Sequence, residues 1–336
     1  MKKNLFIMLI VLVTVAFLAV GCGQNAPTSE PNGEPQEKAI KVALLLSGPI
    51  NDMGWNASAY EGLMGTEEKF GVETSYVESV SPSDMEEYFR GYAIQGYDII
   101  FGHGFQFGEA AKSVAPDFPD VKFIVVSSNI SEPPNLGSAN LANRQQGFLM
   151  GVVAGLMTET NVVGGIGGAE IPPISLSIQG FKEGVEYVNP DARVLTTLTG
   201  TNEDVSKAKE TALAMIDQGA DIVMGNANQA GLGVIEAARE RGVLAIASNQ
   251  DQNPIAPDTV LVSAIKSVPR LMSFIVETYI AGNLEPKFYE LGIKEGAVFL
   301  SSWHGFENKV PQEVKDRIDE IIEEITSGKL KISDYQ

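Results

Sequence analysis

Cysteine and histidine are almost absent from this chain, and basic charge is scarce. One Cys in 336 residues excludes an intramolecular disulfide framework and any multi-thiolate metal site. Two His, His103 and His304, leave little for histidine-based catalysis. Only 24 Lys and Arg stand against 43 Asp and Glu, a formal net charge of −19. So acidic a surface repels phosphate backbones and anionic headgroups, so no nucleic-acid partner is expected. No Gly-x-x-x-x-Gly-Lys-Ser/Thr loop is present to hydrolyse nucleotide, and no Gly-x-Ser-x-Gly elbow to carry a nucleophile. The run Gly164-Gly165-Ile166-Gly167-Gly168 invites a dinucleotide-binding reading, but Glu170 breaks the Gly-x-Gly-x-x-Gly spacing. Neither an enzyme nor a cofactor is expected. What the chain does have is 44% hydrophobic residues and only 20% charged ones, a globular profile, and a length that suits two domains.

Residues 1–22 read as an export signal: Lys2 and Lys3, an apolar run from Leu5 to Val20, then small residues before Cys22. The apolar run is shorter than the roughly 20 residues a bilayer span needs. Leu18-Ala19-Val20-Gly21-Cys22 resembles a bacterial lipobox, which implies that Cys22 is lipidated and becomes the N-terminus. The alternative is a plain secretory signal with an incidental Cys. Residues 23–38, mostly Gln, Asn, Pro, Ser, Thr, Gly and Glu, read as a flexible tether. The protein is therefore expected at the cell membrane, lipid-anchored, facing the extracellular or periplasmic side.

From Ala39 short apolar runs alternate with longer amphipathic ones. Val42-Ala43-Leu44-Leu45-Leu46 and Phe123-Ile124-Val125-Val126 read as strands buried on both faces, as parallel sheets require. Strands are expected at Lys41–Leu46, Glu73–Val77, Asp98–Gly102, Lys122–Ser127 and Gly137–Asn140. A second series is expected at Val162–Gly167, Arg193–Thr199, Asp221–Gly225, Leu244–Ser248 and Val260–Ala264. Helices alternate with them, including Asn56–Phe70, Phe107–Phe118, Gln145–Thr158, Gly231–Arg241 and Val268–Ala281. The phrase Gln95-Gly96-Tyr97-Asp98 returns as Gln218-Gly219-Ala220-Asp221, a helix closing at Gly before a buried strand, which indicates two similar α/β domains. The lobes are expected at 39–143 plus about 267–305, and 144–266 plus about 306–336. Crossovers fall near 141–145 and 264–269, the segment 285–304 returns to the first lobe, and a last helix at Gln312–Ser327 packs on either. Ligands of such folds sit at strand carboxyl ends, here in the cleft between the lobes.

Strand one runs into Ser47-Gly48-Pro49-Ile50-Asn51-Asp52-Met53-Gly54-Trp55-Asn56. On chemistry alone, Asp52 or Asn56 is an N-cap and Trp55 covers the helix edge. The segment Asp52-Met53-Gly54-Trp55-Asn56-Ala57-Ser58-Ala59-Tyr60-Glu61-Gly62 also resembles the Asp-Lys-Ser-Phe-Asn-Gln…Glu-Gly signature of the basic-membrane-lipoprotein family, purine nucleoside receptors that feed ABC transporters. Matches continue at Asp98–Phe107, Phe118–Phe123, Gln146–Gly155, Gly231–Val234, Asp251-Gln252 and Ser263–Lys266, in the family's order.

The resemblance implies a type I periplasmic-binding-protein-like fold, two doubly wound parallel-sheet lobes joined by a multi-strand hinge. It implies a lipid-anchored solute-binding protein that captures a purine nucleoside or nucleobase and passes it to an ABC permease with its ATPase. Carried over, Trp55 stacks on the base, Asn56 reads its edge and Asp52 lies beside them. Phe105 supplies the opposite face or is a core aromatic; Glu109 stands near a family Asp or is a solvated helix residue. Asn226-Ala227-Asn228-Gln229-Ala230-Gly231 replaces a Gly-rich turn, and its amides suit a neutral ligand. Asn249 stands where relatives commonly have Asp, and Asp251 is retained, at positions that hold ribose hydroxyls in relatives. Lys266 matches a family lysine at the second crossover, reaching the cleft or lying on the surface. His103 reads as a structural histidine, and His304 receives no role. Two other readings remain: a surface sensor coupled to a membrane regulator, and a nucleoside-processing enzyme, which would need a denser carboxylate cluster than Asp52, Glu109 and Asp251 provide.

Overall fold

The computed structural model describes residues 39–51 and 55–334, and the expectations placed on Asp52 and Cys22 lie outside them. In chain order the first strands are β1 (Lys41–Leu46), β2 (Glu73–Val77), β3 (Ile99–His103), β4 (Lys122–Val126) and β5 (Leu136–Leu141). Then follow β6 (Val162–Gly167), β7 (Arg193–Leu198), β8 (Ile222–Asn226), β9 (Leu244–Asn249) and β10 (Val260–Lys266), with β11 (Phe288–Leu291) and β12 (Val298–Leu300) near the end. The helices are α1 (Trp55–Phe70), α2 (Met85–Ile94), α3 (Gly108–Val114), α4 (Asn143–Met157), α5 (Pro172–Val188), α6 (Val205–Ile216), α7 (Gly231–Arg241), α8 (Val268–Ile280) and α9 (Gln312–Thr326).

Two six-stranded sheets result, ordered β11-β5-β4-β3-β1-β2 and β12-β10-β9-β8-β6-β7. Pairing is parallel throughout the first. In the second only β10–β12 is antiparallel. The apolar runs occupy central strands: β1 sits between β2 and β3 with Val42 to Leu46 wholly buried, whereas β2 and β7 at the edges stay half-exposed. Helices cover both faces of each sheet. In the first lobe α1 and α8 lie on one face and α2 and α3 on the other. In the second, α4, α5 and α9 lie opposite α6 and α7. The amphipathic α9 thus belongs to the second core, through Val314, Ile318, Ile321 and Ile325.

The chain passes between the sheets three times: from β5 into α4, from β10 into α8, and between β11 and β12. The third passage corrects the expectation that 285–304 returns whole to the first lobe, with a boundary near 305. β11 pairs with β5, but Leu300 pairs back with Ala264 of β10, and Phe306 joins the second core. The helix expected over Phe107–Phe118 is also shorter. α3 stops at Val114, Pro116 lying in a single 3-10 turn (Ala115–Asp117) before β4, and another such turn (Phe105–Phe107) precedes it.

Helix α4 begins at the first crossover without a capping side chain of its own, since Ala142 precedes it. The cap arrives from the far end of the sequence. Asp334, 9% exposed, accepts from the backbone N–H of Asn143 (3.0 Å) and Arg144 (2.6 Å) and from the Asn140 and Asn143 side-chain amides (3.1 and 2.7 Å). A carboxylate at a helix N-terminus also meets the positive end of the helix dipole. The same tail is held by Gln145, which donates to the Ile332 carbonyl, and by Glu290 of β11, which accepts from Ser333 Oγ and the Asp334 N–H at 2.8 Å each.

Candidate functional site

The strand carboxyl ends of the two lobes present different chemistry. In the first lobe β3 ends at His103, whose imidazole is fully buried and stacked under Trp55, centroids 4.1 Å apart and planes at 22°. Nε2 of His103 lies 3.0 Å from the Trp55 carbonyl oxygen, which can only accept, so that nitrogen carries the proton. The indole thus rests on a fixed imidazole and on the first-lobe core, half-buried at the start of α1. Asn56 is buried beside it, its amide so close to Gly48 that a Cβ there would lie 2.7 Å from Nδ2. Phe105 follows His103 by two residues. It is 58% exposed, so the core-aromatic alternative is wrong. Glu109 lies exposed in the first turn of α3, as a solvated helix residue would.

In the second lobe the strand ends carry amides. Asn226 closes β8, is 2% exposed, and has its Oδ1 3.4 Å from Ser248 Oγ, while its buried Nδ2 finds no acceptor among the described residues. Asn249 closes β9 in a left-handed conformation, φ 72°, which Asn tolerates better than most residues. Its Oδ1 accepts from Gln146 of α4 at 3.2 Å. Asp251, in the loop after β9, is engaged within the protein: Oδ2 pairs with His304 Nε2 at 2.6 Å, and Oδ1 accepts from the Asn253 N–H. His304, given no role from sequence, thus holds this carboxylate, from a backbone position with φ 47°. Only tertiary structure joins positions 53 residues apart, and no local motif announced the pair.

Lys266 is partly buried rather than lying on the surface. At the end of β10 its ammonium donates to Asn143 Oδ1 at 2.7 Å and so joins the second crossover to the first. Burial pushes its pKa down to about 8, and the nearby Asp334 carboxylate opposes this only in part. Glu290 is pushed up from the usual carboxylate range, first by burial, although its bonds to the tail act the other way. The structure therefore gathers Trp55, His103 and Phe105 on one lobe and Asn226, Ser248, Asn249 and Gln146 on the other, with Lys266, Asn143, Asp334 and Glu290 at the hinge. The Gly164–Gly168 run is structural: a Cβ on Gly165 would come within 2.8 Å of Phe181. Among the described residues, no group of His, Cys, Asp and Glu is placed to hold a metal ion. No described helix is long and apolar enough to cross a membrane.

The profile of the Bmp family, ABC transporter substrate-binding protein PnrA-like, matches residues 39–333. The chain belongs to this family. Among its Bmp-family relatives, the ABC transporter nucleoside-binding protein BmpA of Lactococcus lactis is 30% identical, over 98% of this chain and 99% of that one. The transcriptional activator protein Med of Bacillus subtilis is 29% identical, over 94% of this chain and 95% of its own. Among solved structures, an ABC transporter solute-binding protein from Conexibacter woesei superposes with a TM-score of 0.73 at 27% identity, covering 88% of this chain and 99% of that one. As a Bmp-family substrate-binding protein, the molecule works outside the cytoplasm with a small solute and a permease as partners.

Proposed function

We propose that this protein captures a purine nucleoside or nucleobase between its lobes and delivers it to an ABC permease, anchored to the membrane by acyl chains on Cys22. The observation that carries the reading is the contrast between the lobes' strand ends: an indole backed by a buried imidazole and an exposed Phe105 on the first, side-chain amides on the second. An aromatic face holds any planar heterocycle, with about 1–3 kcal/mol per stacked base. Amides supply direction without charge, which suits a neutral solute, and an acidic protein disfavours a phosphorylated one. The nucleoside-binding relative from Lactococcus lactis supports the same choice. Asp52, Glu109 and Asp251 remain candidate contacts, Asp251 only if His304 yields or shares its carboxylate. Lobe closure would favour the loaded form, since only closed lobes touch the solute from both sides.

Calorimetry on refolded, ligand-stripped protein with adenosine, guanosine, inosine, adenine and ribose tests the solute. Heat with a nucleoside or base supports the reading, and silence with all of them discards it. Metabolic labelling with palmitate, lost in Cys22→Ala, tests the anchor.

A second reading is a surface sensor whose closed form is read by a membrane regulator, and the relative named as a transcriptional activator favours a regulatory role. Uptake of labelled nucleoside that depends on this protein would favour transport over sensing.

A further inference from the structure

The hydrogen bonds of the second lobe have a direction that can be worked out without seeing a proton. The carbonyl of Ala264 can only accept, so the side-chain group of Gln146 facing it at 2.8 Å is the nitrogen. Gln146 is fully buried in the first turn of α4, and its second N–H points at Asn249, 3.2 Å away. A donor facing Asn249 requires an acceptor there, so the Asn249 oxygen turns inward. Its Nδ2 is left outward, at the end of β9, half-exposed and without a partner among the described residues. The price inside the protein is that Gln146 Oε1 stays buried with no donor, which shows how strongly the two donated bonds fix the group. The opposite rotamer of Gln146 would set its oxygen against the Ala264 carbonyl and is excluded on the same ground.

We infer that Gln146 is a positioning residue that locks Asn249 nitrogen-outward, so that position 249 offers the captured solute a donor and never an acceptor. The left-handed backbone at Asn249 directs the side chain off the strand end, where ligands of such sheets lie. The solute atom it reads is therefore an acceptor. On a purine nucleoside that means a ring nitrogen, a carbonyl oxygen or a sugar oxygen, and an exocyclic amino group is rejected at this point. This assignment rests on the proposed function for the identity of the solute, and on the fold for the orientation of the amide.

Two measurements separate those foundations. In the empty, 15N-labelled protein, the Gln146 side-chain NH2 should exchange slowly with water and the Asn249 NH2 rapidly. A protected Asn249 NH2 in the empty protein would overturn the orientation, whatever the protein binds. Calorimetry then uses whichever of adenosine, inosine, guanosine and adenine the unaltered protein takes. Gln146→Met frees the Asn249 amide to rotate and should weaken binding about tenfold, but leave affinity unchanged in an Asn249→Ala background. Equal losses in both backgrounds would mean that Gln146 acts through the fold alone and would overturn the proposal. Asn249→Asp keeps the inward acceptor and turns a second one outward. It should also lose about tenfold while melting as the unaltered protein does, and it carries the test if the Gln146 variant fails to fold. Should neither the nucleosides nor adenine bind, the purine reading falls and the exchange measurement alone decides the amide.

Discussion

At the end of β3 the first lobe places His103, Gly104 and Phe105. At the end of β8, the matching strand of the second lobe, stand Asn226, Ala227 and Asn228. Each strand pairs with the first and fourth strands of its own series, and each runs into a single 3-10 turn before a helix. Identical wiring thus carries aromatic surface on one side and amides on the other. Aromatic area attracts any flat solute with little demand on its orientation, whereas an amide is satisfied only by a correctly placed partner. On the proposed reading the first lobe holds and the second one tests.

The lobes differ in packing as well as in chemistry. Helices α4 and α5 of the second lobe touch backbone to backbone: a Cβ on Gly151 would lie 2.1 Å from the Phe181 carbonyl oxygen, and one on Gly184 2.1 Å from that of Phe148. In the equivalent pair of the first lobe, α8 and α1, the approach is looser: a Cβ on Gly62 would lie 3.0 Å from the Pro269 Cα, and Gly65 of α1 faces open space. Gly151→Ala should therefore destabilise by about 3 kcal/mol, whereas Gly65→Ala should stabilise by about 0.5–1 kcal/mol, both read from urea midpoints. Equal effects would dissolve the contrast between the helix pairs.

Next in size is Asp334→Ala. It strips α4 of its borrowed cap and leaves two backbone donors and the Asn140 amide unanswered, a loss of about 2 kcal/mol in the same assay. The first lobe's counterpart, α8, carries its own cap in Ser267, which accepts from the Arg270 N–H at 3.1 Å. Removing the tail should leave that end intact in hydrogen exchange.

Lys266 sharpens the comparison at the hinge through pH. Its folded pKa near 8 lies below the ordinary 10.5, so between those values the unfolded chain holds a proton that the folded protein has released. Wild-type stability should climb relative to Lys266→Met as pH rises from 8 towards 10.5 and run parallel to it below 8. A widening gap below pH 8 would contradict the assignment. Smallest is His304→Ala. Its pair with Asp251 is about a third exposed on both sides, and its loss should cost under about 1 kcal/mol in thermal or urea unfolding.

Much of the fold was legible because burial on both faces leaves a run of apolar residues, and β1 and β6 begin and end where their runs do. The repeated Gly-x-Asp phrase marks a real equivalence: Asp98 accepts from the Lys41 N–H at the start of β1, and Asp221 from the Glu159 and Thr160 N–H just before β6. What escaped was short or distant. Three-residue β12 has no periodicity to read, and its place beside β10 depends on pairing across more than thirty residues. The Asp334 cap joins positions 191 residues apart, and the His304–Asp251 pair and the Trp55–His103 stack likewise exist only after folding. Phe105 was legible as an aromatic but not as an exposed one.

Tryptophan emission gives the most direct test of the divided cleft. The chain has two Trp, and Trp303→Phe leaves Trp55 as the sole reporter. Titrating that variant with the nucleoside that gives heat in calorimetry should quench Trp55 saturably, with the calorimetric affinity, and Trp55→Ala should weaken that affinity tenfold or more. Calorimetric binding that leaves Trp55 emission unchanged would contradict the account.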